Sequence, residues 1–400
     1  MKEDLMAEAE KYPPSPPDRG HNKPRRLSRV SRATEHPHAV GAVNAAYLNA
    51  IEIAGLPSSA GVKGMGMFAG LCMLVGSGYV WEFGLMILED GGKFTVAGLL
   101  FVLMGTVILG VAITFLRSDL FSYRDEPTLF NRKTRKVYAF RRRRQMKRPW
   151  ARWPLVIDVY DWEQITGEIH GGFQLVGGSL PSTRYRLVAA VSDQPTTRGR
   201  KTKIIDEIIL GMDETYQDDC VARWEHIRRY MEEDGPPLPA GERLALTRGF
   251  SHRLAFARGG LWVLIPGFYD DFRKEPIGII LGTLAQLITL PAMLMFAFFR
   301  WLAEVTSKAP WWPEAVLRDA GGAPLPEDQV HAEADALKRA QEKIREAALD
   351  DEERHERDMI KAKAGKPFWT TERKKFAIAI AAVIAVVAIG KGVQAWLSGT

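Results

Sequence analysis

Apolar positions in this chain are bunched into long runs rather than spread evenly. Residues 64–88 and 94–116 are nearly uninterrupted apolar stretches, each exceeding the roughly 20 residues a helix needs to cross a bilayer. Glu89, Asp90, Gly91, Gly92 and Lys93 separate them. A turn that short forces an antiparallel hairpin, and its outer ends at Lys63 and Arg117 share one side of the membrane. Residues 276–302 form a third apolar stretch, long enough to cross once and too short to cross twice. Pro291 sits near its middle, so a span and a re-entrant helix both fit. A fourth run, 376–397, reads as a terminal span.

Beyond Arg117 the apolar period changes from helical to alternating. Strands are predicted over 128–130, 136–140, 155–160, 165–170, 185–192 and 204–210, with turn formers between them. An amphipathic helix follows over 213–233, where Val221, Trp224, Ile227, Arg228 and Met231 recur at three- and four-residue steps. Gly235, Pro236 and Pro237 end it. Antiparallel strands closed by one helix is the order of a small pleckstrin-homology-like barrel. The expected fold class is therefore an α+β membrane protein with seven parts: a disordered basic arm (1–60), a transmembrane helical hairpin (61–117), the barrel domain (118–237), an interfacial segment (238–275), a third membrane segment (276–303), a charged helical stalk (304–373) and a terminal transmembrane helix (374–400). Within the arm, 40–56 has Ala and Ile at helical spacing and reads as a surface helix. The arm is not a signal peptide, since no apolar run follows its charges directly.

Charge decides sidedness. Residues 117–148 hold twelve Lys or Arg against three acids, directly after a span. Such a stretch resists translocation and pins the following domain in the cytoplasm of a multi-pass membrane protein. The same argument, applied to the Lys and Arg before residue 376, places the start of the last span inside. If 276–302 crosses, residues 304–372 lie outside and the last span enters against its bias. If it does not, everything from 117 to 375 is cytoplasmic, and the charge bias favours this second arrangement. Arg141, Arg142, Arg143 and Arg144, with Lys147 and Arg148, also form a candidate patch for anionic lipid headgroups. Nucleic acid is not an expected partner, because no aromatics interleave with these cations for base stacking.

Catalytic chemistry is not indicated. No phosphate-binding glycine loop or nucleophile elbow is present, and Asp218 with Asp219, or Asp270 with Asp271, read as solvent-facing charge. His36, His38, His331 and His355 lack metal-ligand spacing, and Cys72 and Cys220 lie far apart. Neither a metal nor a cofactor is expected, and the chain reads as a non-enzyme. Glycines on the spans, among them Gly66, Gly70, Gly98, Gly105 and Gly110, fit close helix packing. A pore path would call for more ionisable groups than Glu82.

The segments RDEPTLFNRKTRKVYAF, ARWPLVIDVYDWEQITGEI and WEHIRRYME, with a looser echo in RWLAEVTSKAPWWPEAV, resemble an uncharacterised bacterial membrane-associated family in which a two-span hairpin precedes a domain of this kind. By matching position its hallmark residues here are Asp125, Glu126, Pro127, Phe130, Asn131, Arg132, Trp153, Pro154, Asp161 and Trp162, read as builders of the hairpin and barrel corner. The resemblance supplies no activity. It implies proximity to type VI secretion effectors, and hence a non-catalytic accessory, adaptor or immunity protein whose partner is a secreted effector or its machinery. A component of a transport or channel assembly is the alternative.

Overall fold

The computed structural model describes residues 5–14, 24–55, 63–89, 94–120, 122–143, 153–174, 182–195, 203–245 and 276–348, with Gly92, His252, Ala255 and Phe256. These fall into two compact units, one of 1–268 with 280–338 and one of 269–279 with 339–400. The first unit carries both sheets and is described here; the second contributes only the ends of two helices to the described residues.

The elements of this unit are, in chain order, α1 (Leu5–Lys11), β1 (Arg25–Leu27), β2 (Val43–Ala46), β3 (Ala50–Ile53), α2 (Met65–Glu89), α3 (Thr95–Asp119), β4 (Thr128–Asn131), β5 (Lys136–Arg142), β6 (Leu155–Asp161), a 3-10 turn (Trp162–Gln164), β7 (Ile165–Gln174), β8 (Ser182–Ser192), β9 (Ile204–Ile209) and α4 (Gln217–Glu232). After them come α5 (Pro276–Thr306), α6 (Glu314–Ala320) and α7 (Glu327–Ala348). The alternating stretches became strands at the expected places. They do not close into a barrel. Two antiparallel sheets form instead, ordered β2-β3-β4-β5-β6 and β1-β7-β8-β9, and the chain passes from one to the other through the 3-10 turn.

The disordered arm is a correction. Residues 25–27 pair with β7, and 43–53 fold into the hairpin β2–β3 that continues through β4. The predicted surface helix over 40–56 is thus a strand pair. Every residue of β2 and β3 is buried, so neither strand shows the one-sided alternation that marks a half-exposed strand. Arg25–Leu27 is short and charged, and holds its place by borrowing the edge of a sheet built elsewhere in the chain.

Ile51, Ile53, Phe130, Val137 and Ala139 on one sheet and Ile165, Ile169, Leu187, Ala189 and Val191 on the other share a single core. Trp224 of α4 enters it and stacks on Trp162 with ring centroids 5.6 Å apart, while Phe130 meets Trp162 edge-on at 6.0 Å. Gly167 makes room, since a Cβ there would lie 2.5 Å from the Trp224 ring. The opposite face of the five-stranded sheet buries Leu129, Tyr138, Phe140 and Ile157 beneath Leu5 of α1 and Trp312, Val316 and Ala320. Val330 and Ala334 of α7 join the shared core. The start of the expected solvated stalk is therefore built into the same body as the β domain. Leu238 and Leu244 are buried there too, although the sequence assigns them to an interfacial segment.

Helices α2 and α3 form the expected hairpin, each long and apolar enough to cross a membrane. Their mutual face is lined by small residues. A Cβ on Gly84 would lie 3.0 Å from the Val102 backbone nitrogen, and one on Gly98 would lie 3.0 Å from the Gly84 carbonyl. Gly110 faces open space. α5 runs unbroken through Pro291, and its C-terminal half packs on the start of α2, where Phe68 meets Phe296 and Phe299. The terminal span expected over 374–400 lies outside the described residues.

The two kinds of glycine give a paired test. Gly84→Val should overpack the hairpin, at a cost of about 1–3 kcal/mol, and lower the melting temperature of the detergent-solubilised protein. Gly110→Val adds the same β-branched side chain where nothing is met and should leave melting unchanged; equal losses in both variants would show that helix propensity, not packing, is responsible.

Candidate functional site

Three of the six basic residues predicted to face lipid, Arg141, Arg142 and Arg143, are engaged within the protein. Arg141 is on the β5 face turned toward the second sheet, and its Nη1 donates to both oxygens of Asp206 at 2.9 and 2.7 Å. Arg143 donates to both oxygens of Asp158 at 2.7 Å. Arg142 lies over the Trp153 ring at 5.1 Å, and Arg117, from the end of α3, covers the same ring at 4.9 Å. Arg141 and Arg143, which the sequence reading set at anionic headgroups, thus each have an acidic partner inside the protein. Neutralising either would strand a buried carboxylate; Arg141 ties β5 to β9 of the second sheet, and Arg143 braces β6 beside the end of β5 within its own sheet. Arg144, Lys147 and Arg148 lie outside the described residues.

The other hallmark residues also have structural work. Asn131 caps the β4–β5 turn, its Oδ1 accepting from the amides of Lys133 and Thr134 at 3.0 Å, while its Nδ2 reaches the Asp319 carbonyl at 2.8 Å. This Asx geometry lets Arg135 take a left-handed φ of 54° at the tip. Arg132 covers the Tyr230 ring at 5.0 Å. The amide of Phe140 donates to the Pro127 carbonyl, and that of Arg143 to the Pro154 carbonyl. Asp161 begins the 3-10 turn, and Trp162 donates from Nε1 to Glu232 at 2.7 Å.

Asp125 has a different setting. It is buried beside the strands that flank the helical hairpin, with its Oδ2 accepting from Asn44 Nδ2 at 2.6 Å and its Oδ1 from the Glu126 amide at 2.8 Å. Glu52, also fully buried, accepts from Tyr47 Oη at 3.1 Å and Trp312 Nε1 at 2.8 Å, and Asn44 bridges toward it at 3.4 Å. Burial pushes the Asp125 carboxyl up to about 7, with the nearby Glu52 charge adding to the rise and the Asn44 hydrogen bond opposing it. The network can hold one proton close to neutrality. At the foot of the hairpin, burial likewise lowers the Lys63 ammonium to about 8 while its Nζ donates to the Tyr123 carbonyl at 3.2 Å.

A second constellation lies on the four-stranded sheet. Glu168 and His170 of β7 and Glu207 of β9 bring one ligand atom each within 4.8 Å of one another. The sequence points to no metal ligand and passes over all three. The visible signal is Glu-x-His on a strand, which sets two donors on one face; Glu207 joins only through strand register. Among the histidines weighed from sequence, His331 bonds the Leu244 amide at 3.1 Å and His38 lies 3.3 Å from Glu242, while His355 is outside the described residues. Asp218 and Asp219 occupy the first turn of α4, a position where acids stabilise a helix.

The Asp125 setting gives a signed pH dependence. Its folded pKa is raised above the unfolded value, so the native state holds a proton that the unfolded chain releases between about pH 4 and 7. Stability from this group is present below that window and is lost as pH rises through it. Asp125→Asn should therefore gain melting temperature relative to the parent as pH is raised from 4 to 7. His226, lowered to about 4 by burial, acts in the opposite direction and cancels in the difference. A difference that is flat with pH would show that Asp125 stays ionised in the fold.

No curated protein and no solved structure matches this chain. Residues 105–324 match a family model described as a family of unknown function, DUF6708. The matched region runs from the middle of α3 through β4 to β9 and α4 to just beyond α6, more than half of the chain, so the protein belongs to the DUF6708 family.

Proposed function

We propose that this protein is a non-catalytic, membrane-anchored binding protein, with α2 and α3 as its anchor and the two-sheet body as a cytoplasmic platform for a protein partner. The observation that carries this reading is connectivity. The chain leaves one sheet at β3, makes the apolar hairpin and returns to pair β4 directly against β3, with Ile53 opposite Thr128. The segment after α5 re-enters the same body, Trp312 reaching Glu52 and Val330 reaching the shared core. A body whose two hydrophobic clusters pack on opposite faces of one sheet cannot be divided by a bilayer, so the described parts of 122–245 and 307–338 share a side. Lys63 and Arg117, at the outer ends of the hairpin, make that side cytoplasmic in a bacterial inner membrane.

The resemblance to proteins of type VI secretion loci supplies the partner class, a secreted effector or its machinery. An adaptor that meets its partner inside fits this arrangement better than an immunity protein acting outside. A stable complex buries about 800 Å² per partner, and the body that offers such area is on the inner side. Contact between α2 and α3 accounts for Gly84 and Gly98, so a transport or channel assembly would rest on Gly76, Gly78 and Gly110, which face open space.

Single cysteines test the arrangement in a background carrying Cys72→Ser and Cys220→Ala. Gln194→Cys and Ala336→Cys lie at exposed positions on the two halves of the body, whereas Ala334 is buried and would report nothing. Both should resist a membrane-impermeant thiol reagent in intact cells and react after lysis. Labelling of Ala336→Cys alone would separate the halves and end the proposal. Labelling of both would move the platform outside and favour the immunity role. Proteins co-purifying with the detergent-solubilised protein then identify the partner.

A further inference from the structure

We propose that Glu168, His170 and Glu207 form a binding site for a divalent transition-metal ion of the zinc class. The site follows from strand register. Thr166 pairs with Ala190 and Ala190 with Glu207, while Glu168 pairs with Val188. Directly paired residues share a face, as do residues two apart on a strand, so Glu168, His170 and Glu207 all stand on the side opposite Gly167 and Trp224. Two inter-strand spacings set β7 and β9 roughly 9.6 Å apart. The intervening strand presents Val188 and Ala190, both buried and small, so two glutamates can lean over it and meet.

The ligand atoms have the right chemistry and spacing. Glu168 Oε2 and His170 Nε2 are 3.5 Å apart. Two ligands on a tetrahedral zinc with bonds of about 2.1 Å stand about 3.4 Å apart, so this pair is already at coordination distance. A carboxylate oxygen of Glu207 completes a set whose members all fall within 4.8 Å, a spread that contraction onto an ion would close. Two carboxylates and one imidazole form a mixed oxygen and nitrogen set that suits zinc and its first-row neighbours better than magnesium or calcium.

The surroundings support the same reading. Glu168 Oε2, His170 Nε2 and Glu207 Oε1 are all shut off from solvent. Glu168 Oε1 accepts from Arg26 Nε at 3.0 Å, an outer hydrogen bond of the kind that orients a ligating carboxylate. The His170 side chain is 32 % exposed, which gives an ion a path in. Since Arg26 belongs to β1, the ion would tie β7 to β9 across β8 and reinforce the edge on which the N-terminal strand docks. This inference is independent of the partner proposed above.

The test uses the full chain in detergent, stripped with a chelator, dialysed, exposed to equimolar Zn²⁺ and desalted. Zinc by mass spectrometry and melting with and without Zn²⁺ are the readouts. The parent should retain about one zinc per chain and melt higher with it. His170→Ala and Glu207→Gln should each lose at least about tenfold in affinity and lose the zinc-dependent rise, with metal-free melting close to that of the parent. The double variant His36→Ala/His38→Ala, which removes two histidines outside the cluster, should behave as the parent. If His170→Ala fails to fold, the near-isosteric Glu207→Gln carries the test alone. Zinc retained equally by the site variants, or no retention and no shift in the parent, overturns the proposal.

Discussion

The pairing of β3 with β4 is the constraint on which the remaining architecture depends. These strands are neighbours in one sheet, yet the whole helical hairpin lies between them in sequence, so the hairpin is an excursion from a β-sheet and not a separate domain on a linker. The two crossings are pressed together at the neck. A Cβ on Gly55 would lie 1.9 Å from the Glu126 carbonyl oxygen, so only glycine lets the outgoing and returning chains approach this closely. Asp119, at the end of α3, accepts from the amides of Gly64 and Met67 at 2.9 Å and so caps the start of α2. A carboxylate there satisfies amides that a helix leaves open and favours the positive end of its dipole. The start of α2 and the end of α3 are thereby tied together where the hairpin leaves the sheet.

That coupling explains why acids and bases gather just below the helices. Lys63, Asp119, Arg300 and Glu304 meet there, with Arg300 Nε donating to Glu304 at 3.1 Å. Lys308 closes the ring of contacts, its amide donating to the Ser122 carbonyl at 2.8 Å and its carbonyl accepting from Arg124 at 2.9 Å. Charges removed from water are costly unless each is paired, and an unpaired one would loosen the neck. The same logic governs the basic stretch after α3. Its arginines are matched by acids more than ten residues away in the chain, as Arg141 is by Asp206 and Arg135 by Glu163 and Glu232. A run that reads as surplus positive charge is, in three dimensions, partly neutralised.

The sequence by itself determined the local elements. Apolar runs of spanning length gave α2 and α3, alternation gave β4 to β9, and the three- and four-residue steps of Trp224 and its neighbours gave α4, because each signal is a periodicity the residues carry whatever surrounds them. What only the tertiary structure decided has one physical origin, namely that long-range partners leave no local period. β2 and β3 are buried on every residue and so lack alternation, and β1 is too short and charged to signal itself. α7 looked solvated because two of its residues, Val330 and Ala334, carry its contact with the core. Among candidate ligands, Glu168 and His170 were legible as neighbours on one strand face. Glu207 was not, since its place beside them is fixed by the register of β8 against β7 and β9, a choice made by backbone hydrogen bonds and core packing 37 residues further along the chain than His170.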